Sequence, residues 1–254
     1  MNATFHLVQT ELSWENPAAN REAIETLTKP LNDGVIVLPE MFSTGFSMAS
    51  SRLAERMNGE TVTWLQSLAS SRQDPVCGSL IVEAQGCFYN RFVWCEADGS
   101  MTTYDKRHLF RMAEEHHHYS PGSDQPIIRM KDLTLMPQIC YDLRFPVWSR
   151  NLGRYDVLLY VANWPAARHS QWLALLKARA IENLCYVIGV NRVGSDGNGV
   201  DYQGGTCVVG PDGEYLLKPT STATVFSVSL DLRALQDFRA SFPAHLDADE
   251  FILQ

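Results

Sequence analysis

Leu133-Thr-Leu-Met-Pro-Gln-Ile-Cys-Tyr-Asp-Leu-Arg-Phe-Pro146 joins an apolar run to a polar, proline-bounded turn, with a cysteine at the junction. A short apolar run stopped by proline reads as a buried strand. In open α/β sheets, ligands gather beyond the carboxyl ends of the strands. That location makes Cys140 a candidate nucleophile, although a cysteine in an apolar setting is as often a structural thiol. The same pattern recurs on both sides. Gly34-Val-Ile-Val-Leu38 ends at Pro39-Glu40-Met41-Phe42, and Asp156-Val-Leu-Leu-Tyr-Val161 ends at Ala162-Asn163-Trp164-Pro165.

Helical patterns separate some of these strands. Asn16-Pro17 supplies an N-cap and a proline at the first helical position, and Ala19, Ile24 and Leu27 then follow at near-helical spacing. Further helices are expected over Glu60–Ser70, Pro146–Leu152 and His169–Asn183, and after the cap residue Asp231. Strands without intervening helices are expected over Val76–Glu83, Cys87–Cys95 and Ser100–Tyr104, the last two forming a hairpin across Asp98-Gly99. Gln203–Val209, Glu214–Leu217 and Thr222–Val228 read as later strands. A polar segment rich in Glu and His runs on to Gln125, and loops of that length in compact proteins are commonly functional. Periodicity supports an α/β (α+β) class, and β-α-β units feeding hairpins suggest a four-layer α-β-β-α sandwich of two mixed sheets with outer helices.

With 254 residues, 45% of them hydrophobic, the chain reads as one domain, with a core over about 4–240 and a tail, 241–254, whose Phe242, Phe251, Ile252 and Leu253 need burial. Its 21 basic and 29 acidic residues give a formal charge of −8, unlike the basic face that nucleic acid requires. The first residues carry no basic and apolar leader pattern, and no stretch reaches the roughly 18 apolar residues of a membrane span. A cytoplasmic protein is expected. Cys77, Cys87, Cys95, Cys140, Cys185 and Cys207 lie singly, without a CxxC pair, which fits reduced thiols, five of them packing residues. His116-His117-His118 lacks the i, i+4 spacing of helical metal ligands, and Gly194–Gly199 lacks the spacing of a nucleotide-binding loop. Neither a metal nor another cofactor is expected.

Glu40, Lys106 and Cys140 share one sequence position: the carboxyl end of a buried strand, or within two residues of it. Brought together, they would form an acyl-transfer site. A free thiol ionises near about pH 8.5, a cation favours the thiolate, and a carboxylate accepts its proton. Lysine and the backbone N–H of Tyr141 would then hold the oxyanion. His108 is a second candidate partner for the thiol.

Val37-Leu-Pro-Glu-Met-Phe42, Tyr104-Asp-Lys-Arg-His-Leu-Phe110 and Ile139-Cys-Tyr-Asp-Leu-Arg-Phe-Pro146 resemble the three signature segments of the nitrilase superfamily of carbon–nitrogen hydrolases. Tyr119-Ser-Pro-Gly122, Ala162-Asn-Trp-Pro165, Ala178-Arg-Ala-Ile-Glu-Asn183 and Asn191-Arg-Val-Gly-Ser-Asp-Gly197 extend the resemblance, in family order, over residues 4 to 250. Cys-Tyr-Asp-Leu-Arg-Phe with Ala-Asn-Trp-Pro is most similar to the omega-amidase branch. Members of that branch hydrolyse the terminal amide of 2-oxo dicarboxylic acid monoamides such as 2-oxoglutaramate and 2-oxosuccinamate. The resemblance implies the α-β-β-α sandwich, commonly paired as a homodimer, with Glu40 as general base, Lys106 on the oxyanion and Cys140 as nucleophile. It implies an additional glutamate at Glu115, with Glu114 the adjacent alternative.

A substrate of this kind carries a carboxylate, for which Arg144 and Arg111 are the nearest cations in sequence. Phe42, Tyr141 and Trp164 are candidate apolar walls. Hydrolysis of N-carbamoyl amino acids or nitriles on the same triad, and a non-catalytic binding protein of the same fold, are the rival readings.

Overall fold

The computed structural model describes residues 2–249 and 251–253. The first half contains β1 (Asn2–Gln9), α1 (Pro17–Thr28), β2 (Val35–Val37), α2 (Ser50–Leu53), α3 (Glu60–Arg72), β3 (Val76–Ala84), β4 (Cys87–Cys95) and β5 (Met101–Asp105). The second contains β6 (Ile128–Met130), β7 (Leu133–Ile139), β8 (Val157–Ala162), α4 (His169–Asn183), β9 (Tyr186–Asn191), the hairpin β10 (Val193–Ser195) and β11 (Asp201–Gln203), then β12 (Cys207–Val209), β13 (Tyr215–Leu217), β14 (Thr224–Asp231) and α5 (Leu232–Ser241). Two six-stranded mixed sheets result, in the orders β14-β1-β2-β3-β4-β5 and β13-β12-β9-β8-β7-β6. The strands β1-β2-β3 and β7-β8-β9, joined by crossover connections, pair in parallel, while the hairpins pair antiparallel. The last strand described, β14, returns to pair with β1 along its whole length and completes the first sheet.

Two-residue periodicity sorts the first sheet's side chains between two apolar layers. Phe5, Leu7, Val35, Val37, Cys77, Phe92 and Trp94 face the second sheet and share a core with Leu135, Met136 and Ile139. Their alternates, Val8, Ile36, Val76, Val93 and Cys95, face α1 and α3 and pack on Ile24, Val62, Leu65 and Ala69. On the far side, α4 lays Trp172, Leu176 and Ala180 on the second sheet, and a side chain at Gly189 would run into Trp172 and Leu176. The layers are therefore helix, sheet, sheet, helix, as the sequence pattern suggested.

The Asn16 cap accepts a bond from Ala19 N with Pro17 at the first helical position, and Asp231 caps α5 through Arg233 N and Ala234 N. Four expectations fail. Pro146–Leu152 forms consecutive turns instead of a helix, because Asn151 N donates to Asn183 Oδ1 rather than to the Val147 carbonyl, and the Gln125 side chain takes the Trp148 carbonyl that a helix would pair with Leu152 N. The run Gln203–Val209 is split between two strands at Gly204-Gly205. Phe242, Phe251, Ile252 and Leu253 are exposed, Ile252 at 91%, because α5 ends just before Pro243 and no further layer of the described chain receives the tail. Cys87 is exposed at the β3–β4 turn rather than packed, unlike the other five thiols. No helix among the described residues is long and apolar enough to cross a membrane.

Candidate active site

Three strand ends deliver the candidate residues to the junction between the sheets. After β2, the turn bearing Glu40 crosses β3 at Gly78, where a methyl group would lie 2.8 Å from Leu38 Cβ and 2.9 Å from Phe42 Cδ1. Ser79 fixes the same turn, its Oγ accepting from Met41 N at 2.9 Å and its carbonyl from Phe42 N at 3.1 Å. Lys106 directly follows β5. The returning loop closes on it through Gly122 N, which donates to Lys106 O at 3.0 Å, and a side chain at Gly122 would collide with Asp105. Cys140 directly follows β7 with φ of 45°, a left-handed conformation that costs a non-glycine residue about 1 kcal/mol or more. Asp142 holds that bend. Its buried carboxylate accepts from Ile139 N at 3.0 Å, Tyr104 OH at 2.7 Å and His108 N at 2.9 Å, which ties the Cys140 turn to the segment carrying Lys106.

Glu40, Lys106 and Glu115 are all buried. Lys106 Nζ donates to Glu40 Oε1 at 2.8 Å and to Glu115 Oε1 and Oε2 at 2.9 and 3.0 Å. Asn90 Nδ2 donates to Glu40 Oε1 at 2.8 Å, while Asn163 N reaches Glu40 Oε2 at 2.8 Å and Asn163 Nδ2 the Glu40 carbonyl at 2.6 Å. The Cys140 thiol lies 3.9 Å from the Asn163 carbonyl, and the charges of Glu40 and Lys106 both act on it. Burial, then the charge of Glu40, push this thiol well above its ordinary range, against the pull of Lys106. Burial opposes the charge on Lys106, but Glu115 and Glu40 outweigh it and hold the ammonium protonated. Burial raises the Glu115 carboxyl against the stabilising charge of Lys106. The resting arrangement is thus a neutral thiol beside a carboxylate, with a fixed ammonium next to both, able to pass one proton from sulfur to Glu40 and to stabilise an oxyanion.

The thiol opens into a cavity of about 410 Å³ whose lining includes Tyr141, Arg144, Trp164, Phe110, Arg168 and Met112. Of the candidate substrate-binding residues, Tyr141, Trp164 and Arg144 line this cavity. Phe42 does not; it is fully buried, with its ring centroid 5.9 Å from that of Trp64 in the helix-side core. Arg111 is exposed on a short 3-10 turn and does not line the cavity; its neighbours do, Phe110 half-buried and Met112 77% exposed at the rim. Glu115, not Glu114, meets Lys106: Glu114 takes a left-handed φ of 56° and is exposed, which swings its neighbour inward. His108 is held through Nδ1 by Asp142 at 2.8 Å and stacked on Phe145, outside the cavity lining. No group of three potential metal ligands occurs among the described residues. Asn90, Asn163, Asp142 and Arg168 escaped the sequence reading. Asn163 and Asp142 had a visible signal, standing within Ala-Asn-Trp-Pro at the end of β8 and within Cys-Tyr-Asp-Leu-Arg-Phe after β7.

The chain holds a buried Glu-Lys-Cys cluster at strand ends between the two sheets of an α-β-β-α sandwich, and it belongs to the carbon-nitrogen hydrolase family, whose model matches residues 7–240. Among its relatives, the "Omega-amidase YafV" of Escherichia coli K12 is 47% identical over 251 residues, covering 97% of each chain. The "2-oxoglutaramate amidase" of Bacillus subtilis 168 is 30% identical, covering 97% of this chain and 98% of its own. The crystal structure of XC1258 from Xanthomonas campestris, a CN-hydrolase superfamily protein with an arsenic adduct in the active site, matches at a TM-score of 0.97 and 40% identity, with 100% of both chains covered.

Proposed function

We propose that this protein is an omega-amidase, hydrolysing the terminal amide of 2-oxo dicarboxylic acid monoamides such as 2-oxoglutaramate and 2-oxosuccinamate to the 2-oxo acid and ammonia. The observation that carries the chemistry is Lys106 Nζ held between Glu40 and Glu115 beside the Cys140 thiol. Two relatives named for this activity or its substrate, each aligned over nearly the whole chain, support the substrate class.

Glu40 takes the Cys140 proton as sulfur attacks the amide carbon. The oxyanion is held by Lys106 and Tyr141 N–H, the ammonium turning to it by giving up one of its two contacts with Glu115. Glu40 returns the proton to nitrogen, the C–N bond breaks, and ammonia leaves a thioester on Cys140. Water, deprotonated by Glu40 and positioned with help from Glu115, cleaves the thioester and restores the thiol. Every step is served by a side chain, so no cofactor is required. Tyr141 and Trp164 wall the substrate and Arg144 receives its carboxylate.

The protein works as one carbon–nitrogen hydrolase domain in the cytoplasm, as a homodimer or higher homo-oligomer. The exposed Phe242, Leu246 and Ile252 supply apolar surface for a second copy. Cys140→Ala should abolish ammonia release from 2-oxoglutaramate, below about one thousandth of the normal rate, while leaving the circular dichroism spectrum unchanged. Retained hydrolysis in that variant would remove the thioester mechanism, and faster hydrolysis of N-carbamoyl amino acids by the unmodified protein would replace the substrate class.

A further inference from the structure

At the catalytic end of the cavity, the single positive charge of Lys106 is shared by two carboxylates, Glu40 and Glu115. That end is neutral or negative whichever protonation state Glu115 holds, and it offers a substrate carboxylate no spare cation. The opposite situation holds farther out. Arg144 and Arg168 both line the cavity, and among the described residues neither has a carboxylate within salt-bridge distance.

Each guanidinium lies over an aromatic ring of the same cavity, Arg144 Cζ at 5.1 Å from the Trp164 ring centroid and Arg168 Cζ at 5.3 Å from that of Phe110. Such stacking occupies the face of the guanidinium and leaves its N–H edge free. The two are not equally free. Arg144 Nη2 already donates to Gln171 Oε1, whereas the recorded side-chain hydrogen bond of Arg168 is a soft one to Met112 Sδ at 3.9 Å. The acidic residue in the lining, Asp196, does not compete for Arg168. Its Oδ1 accepts from Asn198 N and Val200 N, and its Oδ2 from Tyr202 OH.

We infer that Arg168 is the specificity-determining residue of this site, closing with Arg144 on the free carboxylate of an amide acid while the charge-exhausted Glu40-Lys106-Glu115 cluster rejects that carboxylate and leaves the amide end to Cys140. This rests on the omega-amidase reading and deepens it. The carboxylate is bound only in the orientation that presents the amide to sulfur. Hydrolysis then creates a second carboxylate against a cluster with no cation to receive it, which favours release of the product.

The experiment compares 2-oxoglutaramate with 4-oxopentanamide, in which a methyl group replaces the carboxylate. The unmodified protein should prefer the acid. Arg168→Gln should lower kcat/KM for 2-oxoglutaramate by about 30-fold, chiefly through KM, the loss expected for one charge-assisted hydrogen-bonding partner. It should leave 4-oxopentanamide within about twofold, which also shows that the variant is folded. Arg168→Lys, which keeps the charge but not the fork, should fall between. A preference for the acid that survives Arg168→Gln overturns the role of Arg168 while the omega-amidase reading stands. Equal losses on both substrates also overturn it, as damage to the site at large. If the unmodified protein shows no preference for the acid, the omega-amidase reading falls and this inference with it.

Discussion

Cys140 sits between opposing influences, and their balance can be changed one residue at a time. Burial and the Glu40 carboxylate hold the proton on sulfur, while Lys106 favours its loss. Replacing Glu40 by Gln removes the negative charge and keeps the ammonium, so the thiol should become more acidic. At neutral pH, Glu40→Gln should therefore react faster with iodoacetamide than the unmodified protein, with the midpoint of its rate–pH profile displaced to lower pH. Amide turnover should nevertheless fall by about 100-fold or more, since no group is left to carry the proton to ammonia. Slower alkylation with an unmoved midpoint would show that Glu40 does not act on the thiol. At this scale the sequence was informative where chemistry demanded a residue type, as at Glu40, Lys106 and Cys140. It was silent on direction: Phe42 and Arg111 have suitable side chains and point elsewhere, because which side of a turn faces a cavity is decided by packing partners remote in sequence.

The elements explain why the triad was nonetheless readable. Each member stands at the end of a strand whose apolar run and terminating polar residues are visible in one dimension, as with Val35–Val37 before Glu40 and Leu133–Ile139 before Cys140. What the strands need from one another is not visible. Gly78 lies in β3, far in sequence from both partners it serves, and its missing side chain lets the Glu40 turn pass. Gly78→Ala should push Leu38 and Phe42 outward, lowering stability by about 1–3 kcal/mol in urea unfolding, as overpacking does. It should also cut kcat by about tenfold or more with a smaller change in KM, because the base and not the binding cavity is displaced. A variant with normal kcat would show that the turn is positioned by Ser79 alone. The misread helix at Pro146–Leu152 has the same origin. Its composition permits a helix, but Gln125 and Asn183, from outside the segment, hold a carbonyl and an N–H that the helix would need.

Across the whole molecule, the two sheets bury a set of acids that only the native state keeps protonated. Burial raises Cys77, Cys140, Tyr104 and Tyr155 well above their ordinary values, Cys95 to about 11 and Cys207 to about 12. Above pH of about 8.5 the unfolded chain releases thiol protons that the folded chain retains, so the native state binds more protons and its stability falls as pH rises. Each such group can contribute up to about 1.4 kcal/mol per pH unit between its unfolded and folded values. The urea midpoint should thus drop between pH 8 and pH 10.5, and a flat profile would mean that these groups ionise in place. The closing of the first sheet by β14 has a consequence of another kind. Glu40 and Lys106 come from one sheet and Cys140 and Asn163 from the other, while β14, the strand that completes the first sheet, lies beyond all four in sequence. A chain still emerging from the ribosome therefore has all four residues before it has the strand that completes the sheet under Glu40 and Lys106. Until β14 pairs with β1, the cell meets the thiol of Cys140 on an unfinished scaffold.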